Sequence, residues 1–213
     1  KIRGSDRQTM NLKLKPETHK SLMNGGGVRM LSRIELPPAR YQIRVGVHES
    51  NGGTVGTVPI DVEVPDFSKL PLGLSGLVLT SSAAPRLITP RPDQLLKDVL
   101  PLPPVSTRVF GKNEVISVFT EIYERLTPAA PIEVTLNVLP RGGSVPVFTS
   151  TDTREMAASA AARVHGYKAQ VPARDLAPGD YVIRIEASSR DNKHRVSREV
   201  PITIQGPAAG LTH

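Results

Sequence analysis

Apolar and polar residues alternate with a period of two in the first third of the chain. This period is typical of a half-buried strand, and it predicts strands over residues 7–15, 28–36, 41–49 and 57–64. In the third strand, the side chains expected on the buried face are Tyr41, Ile43, Val45 and Val47. The sequence SNGGT at 50–54 predicts a hairpin turn between the last two strands. Because Pro65 ends the fourth strand, a first unit closes near residue 66.

The same alternation returns after residue 73. It predicts strands over residues 74–82, 106–110, 114–126, 132–140, 145–151, 181–190 and 198–205. We expect the strands 106–110 and 114–126 to form a hairpin around GKN. A bulge is expected in the second of these strands, because its apolar residues change parity.

Three segments interrupt this pattern. Residues 84–105 are rich in proline, which lacks the N–H that a ladder needs, so we expect a long ordered loop over the sandwich. Within it, residues 93–100 predict a short helix with Asp93 as its N-cap. The Ala-rich residues 154–166 fit either a helical turn or a crossing loop, and residues 207–213 predict a frayed tail.

One phrase occurs twice, 140 positions apart. Residues 36–45 read LPPARYQIRV, and residues 176–185 read LAPGDYVIRI. Further along, PIDV at 59–62 matches PITI at 201–204 after a two-residue drift in the hairpin loop. The sequence therefore predicts that a pattern of turn, strand, hairpin and strand occurs twice, which indicates duplicated architecture rather than duplicated chemistry.

The Leu-x-Pro-x-x-Tyr spacing in both phrases resembles the tyrosine corner of immunoglobulin-like and fibronectin type III-like sandwiches. In those folds, a tyrosine at the start of the sixth strand bonds back to the upstream backbone. The residues that would form the corner are Leu36, Pro38 and Tyr41 in the first copy and Leu176, Pro178 and Tyr181 in the second. The predicted fold class is all-β, with two tandem immunoglobulin-like or fibronectin type III-like β-sandwiches.

The predicted first sandwich is incomplete. Its domain spans residues 1–66, followed by a linker over 67–73, the second sandwich over 74–206 with the loop 84–105, and the tail 207–213. Only 35 residues precede Leu36, which leaves room for about four strands where such a sandwich uses about seven. Either its opening strands are lost by truncation, as a start at Lys1 rather than Met favours, or another chain supplies them. We therefore expect a protein partner or a neighbouring subunit, with strand complementation as one mode.

Composition and charge indicate which classes of partner and ligand can be excluded. Hydrophobic residues make up 38% and charged residues 22% of the chain, which is compatible with a packed core. Cysteine is absent, so neither disulfides nor thiolate ligands contribute. The net charge of +7 is spread over both halves, and stacking aromatics are few, so we expect no nucleic-acid partner. No apolar run approaches the roughly 20 residues that span a bilayer, so membrane insertion is not expected.

Several longer stretches resemble the C-terminal region of bacterial von Willebrand factor A-related domain proteins, which are exported. The stretches are VEVPDFSKLPLGLSGLVLTS at 62–81, TRVF and VFTEIY at 107–110 and 118–123, and both corner phrases. In that family the metal-binding function lies in an upstream domain. Asp66-Phe67-Ser68 begins like its Asp-x-Ser-x-Ser motif, but Leu70 stands at the last position, so no metal ligand is carried over. The resemblance implies a non-enzymatic module in an extracellular, periplasmic or cell-envelope protein.

No constellation of catalytic or metal-binding residues emerges from the sequence. The five histidines are His19, His48, His165, His194 and His213, and they show no metal-ligand spacing. Glu121 and Glu124 lie on one predicted strand at opposite parity, so they are poor partners for acid–base chemistry. We predict no catalytic, cofactor or metal residues, no cofactor, and a non-enzymatic interaction or structural function. A carbohydrate-binding sandwich is the alternative, and an enzyme built on the loop 84–105 is the third hypothesis.

Overall fold

The structure, a computed structural model, is almost entirely β. It describes residues 2–24, 27–50, 52–84, 89, 94–126, 130–154 and 163–206. The two helices in these residues are α1 (Pro16–Asn24) and α2 (Gln94–Val99). The strands are β1 (Ala39–His48), β2 (Val55–Val64), β3 (Leu72–Leu74), β4 (Val78–Ser81), β5 (Val109–Gly111), β6 (Val115–Glu124), β7 (Ile132–Pro140), β8 (Phe148–Arg154), β9 (Arg163–Pro172), β10 (Gly179–Ser189) and β11 (Arg195–Gln205). The predicted all-β class is confirmed.

Contacts divide the chain into two units. The first unit consists of Lys1–Asn11 and Ser32–Lys69, and the second consists of Leu12–Leu31 and Leu70–His213. Residues 12–31, which the sequence assigned to the first domain, therefore belong by their contacts to the second unit. The sheet of the first unit is the antiparallel pair β1–β2.

Two of the strands predicted near the N-terminus do not form. Residues 7–15 form neither helix nor strand before α1, and residues 28–36 contain a single bridge at Val28. Pro16 is suited to the first turn of a helix because its missing N–H has no intrahelical partner there. Alternation signals a strand only where a partner strand pairs with it, and no described strand pairs with these residues.

The second unit is a β-sandwich of two sheets. One sheet has the order β5-β11-β10-β7-β8. In the other, β6 is central, with β9 on one side and β3 and β4 following each other on the opposite side. Every pair is antiparallel except β5–β11, which is parallel. Two mainly antiparallel sheets packed face to face in this way make a β-sandwich.

Aliphatic side chains from both sheets form the core of the sandwich. They occupy alternate positions of the strands, as the period-two pattern requires. Those that are fully excluded from solvent include Leu74, Ile116, Ile122, Ile132, Val134, Leu136, Val138, Val171, Ile183 and Ile185. Val, Ile and Leu thus fill a core that contains no tryptophan.

The pairing of β5 and the course of β6 differ from the prediction. The segments 106–110 and 114–126 do not form a hairpin, because β5 pairs in parallel with β11 in the opposite sheet. A turn at Gly111, closed by the N–H of Glu114, carries the chain from one sheet to the other. The predicted bulge is also absent from β6, which pairs with β9 over ten consecutive positions. The extra residue lies opposite, in the segment 75–77 between β3 and β4.

The interrupting segments are described in part. The short helix is confirmed as α2, whereas Asp93 lies outside the described residues. Beyond α2 the chain bonds to β4, since the Thr80 hydroxyl donates to the Pro103 carbonyl and the Val105 N–H donates to the Leu79 carbonyl. Of the Ala-rich segment, Arg154 ends β8 and residues 163–166 begin β9. The remainder of that segment and the tail 207–213 lie outside the described residues.

Candidate functional site

The histidines, for which the sequence predicts no metal site, are spread over separate elements. His19 lies in α1, His48 at the end of β1, His165 in β9 and His194 just before β11, while His213 lies outside the described residues. Among the described residues, no group of three or more histidine, cysteine or acidic side chains could hold a metal ion. In the same part of the chain, neither helix is long and apolar enough to cross a bilayer.

The Asp66 carboxylate interacts with residues of its own turn. Its Oδ1 accepts hydrogen bonds from the backbone N–H of Ser68 at 3.1 Å and from the Ser68 hydroxyl, and its Oδ2 lies 3.1 Å from the Lys69 ammonium. These donors, the Ser68 hydroxyl first, lower the pKa of the Asp66 carboxyl. Both oxygens are thus engaged by residues of the same short 3-10 turn, Phe67–Lys69.

Glu121 and Glu124 belong to different faces of β6. Glu121 accepts a hydrogen bond of 2.6 Å from the Tyr123 hydroxyl, and burial together with this carboxylate raises the pKa of Tyr123 to about 12. Glu124 is fully buried on the inner face, where its Oε1 accepts a hydrogen bond from the backbone N–H of Leu126. The two carboxylates are therefore not placed for joint acid–base work. The burial of Glu124 carries no local sequence signal.

Some polar side chains lie between the edge strands β8 and β9. Asp152 and Arg154 form an ion pair of 2.7 Å, and both affect the pKa of Tyr167, which burial raises. Arg154 Nε and His165 Nε2 are buried with no hydrogen-bond partner among the described residues. No local pattern predicts this arrangement, because β8 and β9 belong to different sheets and come together only when the sandwich forms.

No aromatic side chain is exposed, so none offers a ring on which a ligand could stack. All eight aromatic residues of the chain fall in the described part, and each is buried or half-buried. A shallow depression of about 370 Å³ at one end of the sandwich is instead lined by polar groups. Its walls include Glu133, Thr153, Ser188, Arg190 and Asn192.

The hairpin β1–β2 exposes an apolar face. Directly paired residues lie on the same face of an antiparallel sheet, and here the pairs are Tyr41 with Val62, Ile43 with Ile60 and Val45 with Val58. Four of the side chains on this face or at its tip have large exposed fractions: Val45 48%, Val47 64%, Val58 58% and Ile60 48%. The prediction that Val45 and Val47 are buried is therefore wrong, because no described strand covers them.

Both predicted tyrosine corners form. The Tyr41 hydroxyl donates to the Pro37 carbonyl at 2.7 Å, and the Tyr181 hydroxyl donates to the Ala177 carbonyl at 2.9 Å. In each copy the acceptor lies four residues upstream, as the shared spacing predicts. Tyr181 is buried in the core of the sandwich, whereas Tyr41 is only half-buried.

The two hairpins have the same register throughout. His48 pairs with Val55 and Ser188 with Arg195, so both loops contain six residues. The Glu49 N–H donates to the Thr54 carbonyl, as the Ser189 N–H donates to the His194 carbonyl 140 positions later. The predicted two-residue drift in the loop is therefore wrong, and the equivalent of Pro59 is Glu199 rather than Pro201.

The free edges of the hairpin β1–β2 differ. Because Glu49 and Thr54 are hydrogen-bonded to each other, the odd residues of β1 bond to β2 and the even ones direct their N–H and C=O groups outward. These even residues are Arg40, Gln42, Arg44, Gly46 and His48. The outer edge of β2 contains Pro59, which has no N–H and therefore interrupts any ladder there. The edge of β1 contains no proline between residues 40 and 48.

Comparison with known proteins gives a fold-level likeness. No protein-family model matches the chain, and no curated protein matches it. Among solved structures, the chain is similar to the C-terminal domain of Wzt, with a TM-score of 0.44 and 10% sequence identity over 77% of this chain and 78% of that chain. At this TM-score and identity, the likeness carries no functional inference.

Proposed function

We propose that this chain is a non-enzymatic interaction or structural module that mediates protein–protein contact or assembly. The observation that carries the proposal is the exposed apolar face of hairpin β1–β2. Its polar residues, among them Gln42, Arg44 and Asp61, occupy the opposite face. A sheet with one apolar and one polar face is built to be covered on the apolar side.

The energetics of a lone hairpin support this proposal. An isolated two-stranded hairpin is at best marginally stable in water, and sheets gain stability when an apolar face is packed against another layer. Burying a valine or isoleucine side chain fully contributes about 1.5–3 kcal/mol. A partner that covers Val45, Val58 and Ile60 would therefore gain affinity and stabilise the hairpin at once.

The cellular setting is part of the proposal. The resemblance of residues 62–81 and of both corner phrases to the C-terminal region of von Willebrand factor A-related domain proteins supports an exported or envelope-associated bacterial protein. The proposal assigns no catalytic residue to either unit.

The test is a pull-down from the envelope fraction of a bacterium that encodes this chain, with the full chain as bait. We expect at least one protein to be recovered by the wild type and lost with the double variant Val45→Lys and Val58→Lys. The matched control is Gln42→Lys with Asp61→Asn, which changes the net charge by the same two units on the opposite face of the same hairpin. If no recovered protein depends on the apolar face, the proposal fails.

A further inference from the structure

We propose that the edge of β1 accepts an antiparallel strand from a partner polypeptide, in the register that β7 adopts beside β10. This inference rests on the proposed function and places its partner at the edge of the same hairpin: the occupant is an extended partner segment with apolar residues at alternate positions, which would continue the apolar face.

The second unit provides the template. There β7 pairs with β10, and the bonds fall on even residues of β10, as the Arg141 N–H bonded to the Asp180 carbonyl shows. The even residues of β1 present the same groups outward, 140 positions earlier. An added strand would place apolar residues beside Tyr41, Ile43 and Val45, as Val138 and Leu136 lie beside Ile183 and Ile185.

The positions of the prolines indicate which edge of each hairpin can pair with an additional strand. In both hairpins a proline of the second strand faces outward, Pro59 in β2 and Pro201 in β11. In the sandwich, the outer edge of β11 pairs with β5 only at Thr203, Ile204 and Gln205, beyond Pro201. The first strand of the sandwich hairpin instead pairs over nine residues with β7. By the same logic, β1 rather than β2 is the edge that can be extended.

The size of the apolar face argues against a second copy of the chain as the occupant. Each strand has 10 residues, so at about 3.4 Å per residue and about 4.8 Å of width per strand the two-stranded face covers roughly 330 Å². Two such faces packed together fall well short of the roughly 800 Å² per partner that a stable complex needs. Pairing β1 antiparallel with its own copy about Arg44 would place two arginines directly opposite each other, which is destabilising, whereas β7 places Asn137 opposite the equivalent Arg184. A separate segment that adds a strand buries backbone and side chains together.

The probe is a peptide with the sequence of residues 131–141, PIEVTLNVLPR, added to the ¹⁵N-labelled full chain. We expect binding that slows amide hydrogen exchange at Gln42, Arg44 and Gly46, while the odd amides of β1, already bonded to β2, change little. The control peptide carries V134T, L136T and V138T, which keep the backbone and remove the apolar side chains. It is expected to bind at least tenfold more weakly.

Two protein variants locate the contact. Arg44→Pro removes an outward N–H of β1 without touching the β1–β2 ladder, and it is expected to weaken binding at least tenfold. Asp61→Pro removes an outward N–H of β2 in the same way and is expected to leave binding unchanged.

The outcomes separate this inference from the proposed function. Absence of peptide binding, or binding that Arg44→Pro leaves unchanged, overturns strand addition, and so does protection of these amides by self-association without peptide. Binding that is lost with Val45→Lys and Val58→Lys but protects no even amide also overturns it, while the apolar face remains a contact surface. The pull-down fails independently if no partner depends on that face.

Discussion

The hairpins β1–β2 and β10–β11 have the same local structure and very different surroundings. Their registers, six-residue loops and tyrosine corners coincide with a constant offset of 140 residues. Yet Ile185 is fully buried, whereas Val45, its equivalent, has 48% of its surface exposed. Local sequence is therefore sufficient to form the hairpin, whereas the burial of its apolar face depends on strands elsewhere in the chain or outside it.

The difference in cover determines where the stability of each hairpin comes from. In the second hairpin, Tyr181, Ile183 and Ile185 pack into a core that also contains residues of β6 and β9. In the first, the equivalent side chains grade from half-buried at Tyr41 to exposed at Val47. Equivalent substitutions in the two hairpins should therefore have unequal effects.

The two hairpins should differ most in stability when a charged side chain is introduced on the apolar face. Ile185→Lys places an ammonium group in the core without a partner, which costs several kcal/mol and is expected to unfold the sandwich. Val45→Lys leaves its ammonium in water, so the free energy of unfolding should change by less than about 0.5 kcal/mol. Urea denaturation followed by circular dichroism measures both.

Ile185→Val is the control for the core position, with an expected loss of about 0.5–1.5 kcal/mol. A large loss of unfolding free energy with Val45→Lys in the isolated chain would contradict the difference in exposure between Val45 and Ile185. It would mean that the apolar face of β1–β2 is already covered in solution.

A smaller inequality is expected at the tyrosine corners. Tyr181→Phe removes a part-buried hydrogen bond between the hydroxyl and the Ala177 carbonyl, at a cost of about 0.5–1.5 kcal/mol. Tyr41→Phe exposes the Pro37 carbonyl to water, which replaces the lost hydrogen bond, so the loss should stay below about 0.5 kcal/mol. Equal losses in thermal or urea unfolding would refute the difference in burial.

The features that the sequence predicts correctly are local. The corner joins Tyr41 to a carbonyl four residues away, and the alternation in 132–140 marks β7 to the residue. Pairing between distant strands is not encoded in this way. The segment 106–110 reads as one arm of a hairpin with β6, although part of it pairs with β11 about 94 residues later.

Burial and exact register also escape a local reading. The alternation around Val45 is the same as that around Ile185. The pattern shows which side chains share a face of the strand, but it does not show whether another layer packs on that face. The matched prolines suggested a drift in the loop because proline is tolerated at any outward-facing edge position, and such positions recur every two residues. Pro59 and Pro201 occupy neighbouring positions of this kind, two residues apart in register.

The smallest expected difference concerns charge pairing on the polar faces. Arg184 Nε lies 2.6 Å from Glu199 Oε1 across the strands, while the equivalent Arg44 faces Pro59 and bonds instead to Gln42 Oε1 of its own strand. Both partners in the second hairpin are well exposed, so a double-mutant cycle with Arg184→Ala and Glu199→Ala should give a coupling of about 0.2–1 kcal/mol. The same cycle at Arg44 and Pro59 should give none. Because exposed charges are screened, 0.5 M salt should reduce the first coupling, and a coupling unaffected by salt would show that this pair is shielded from solvent.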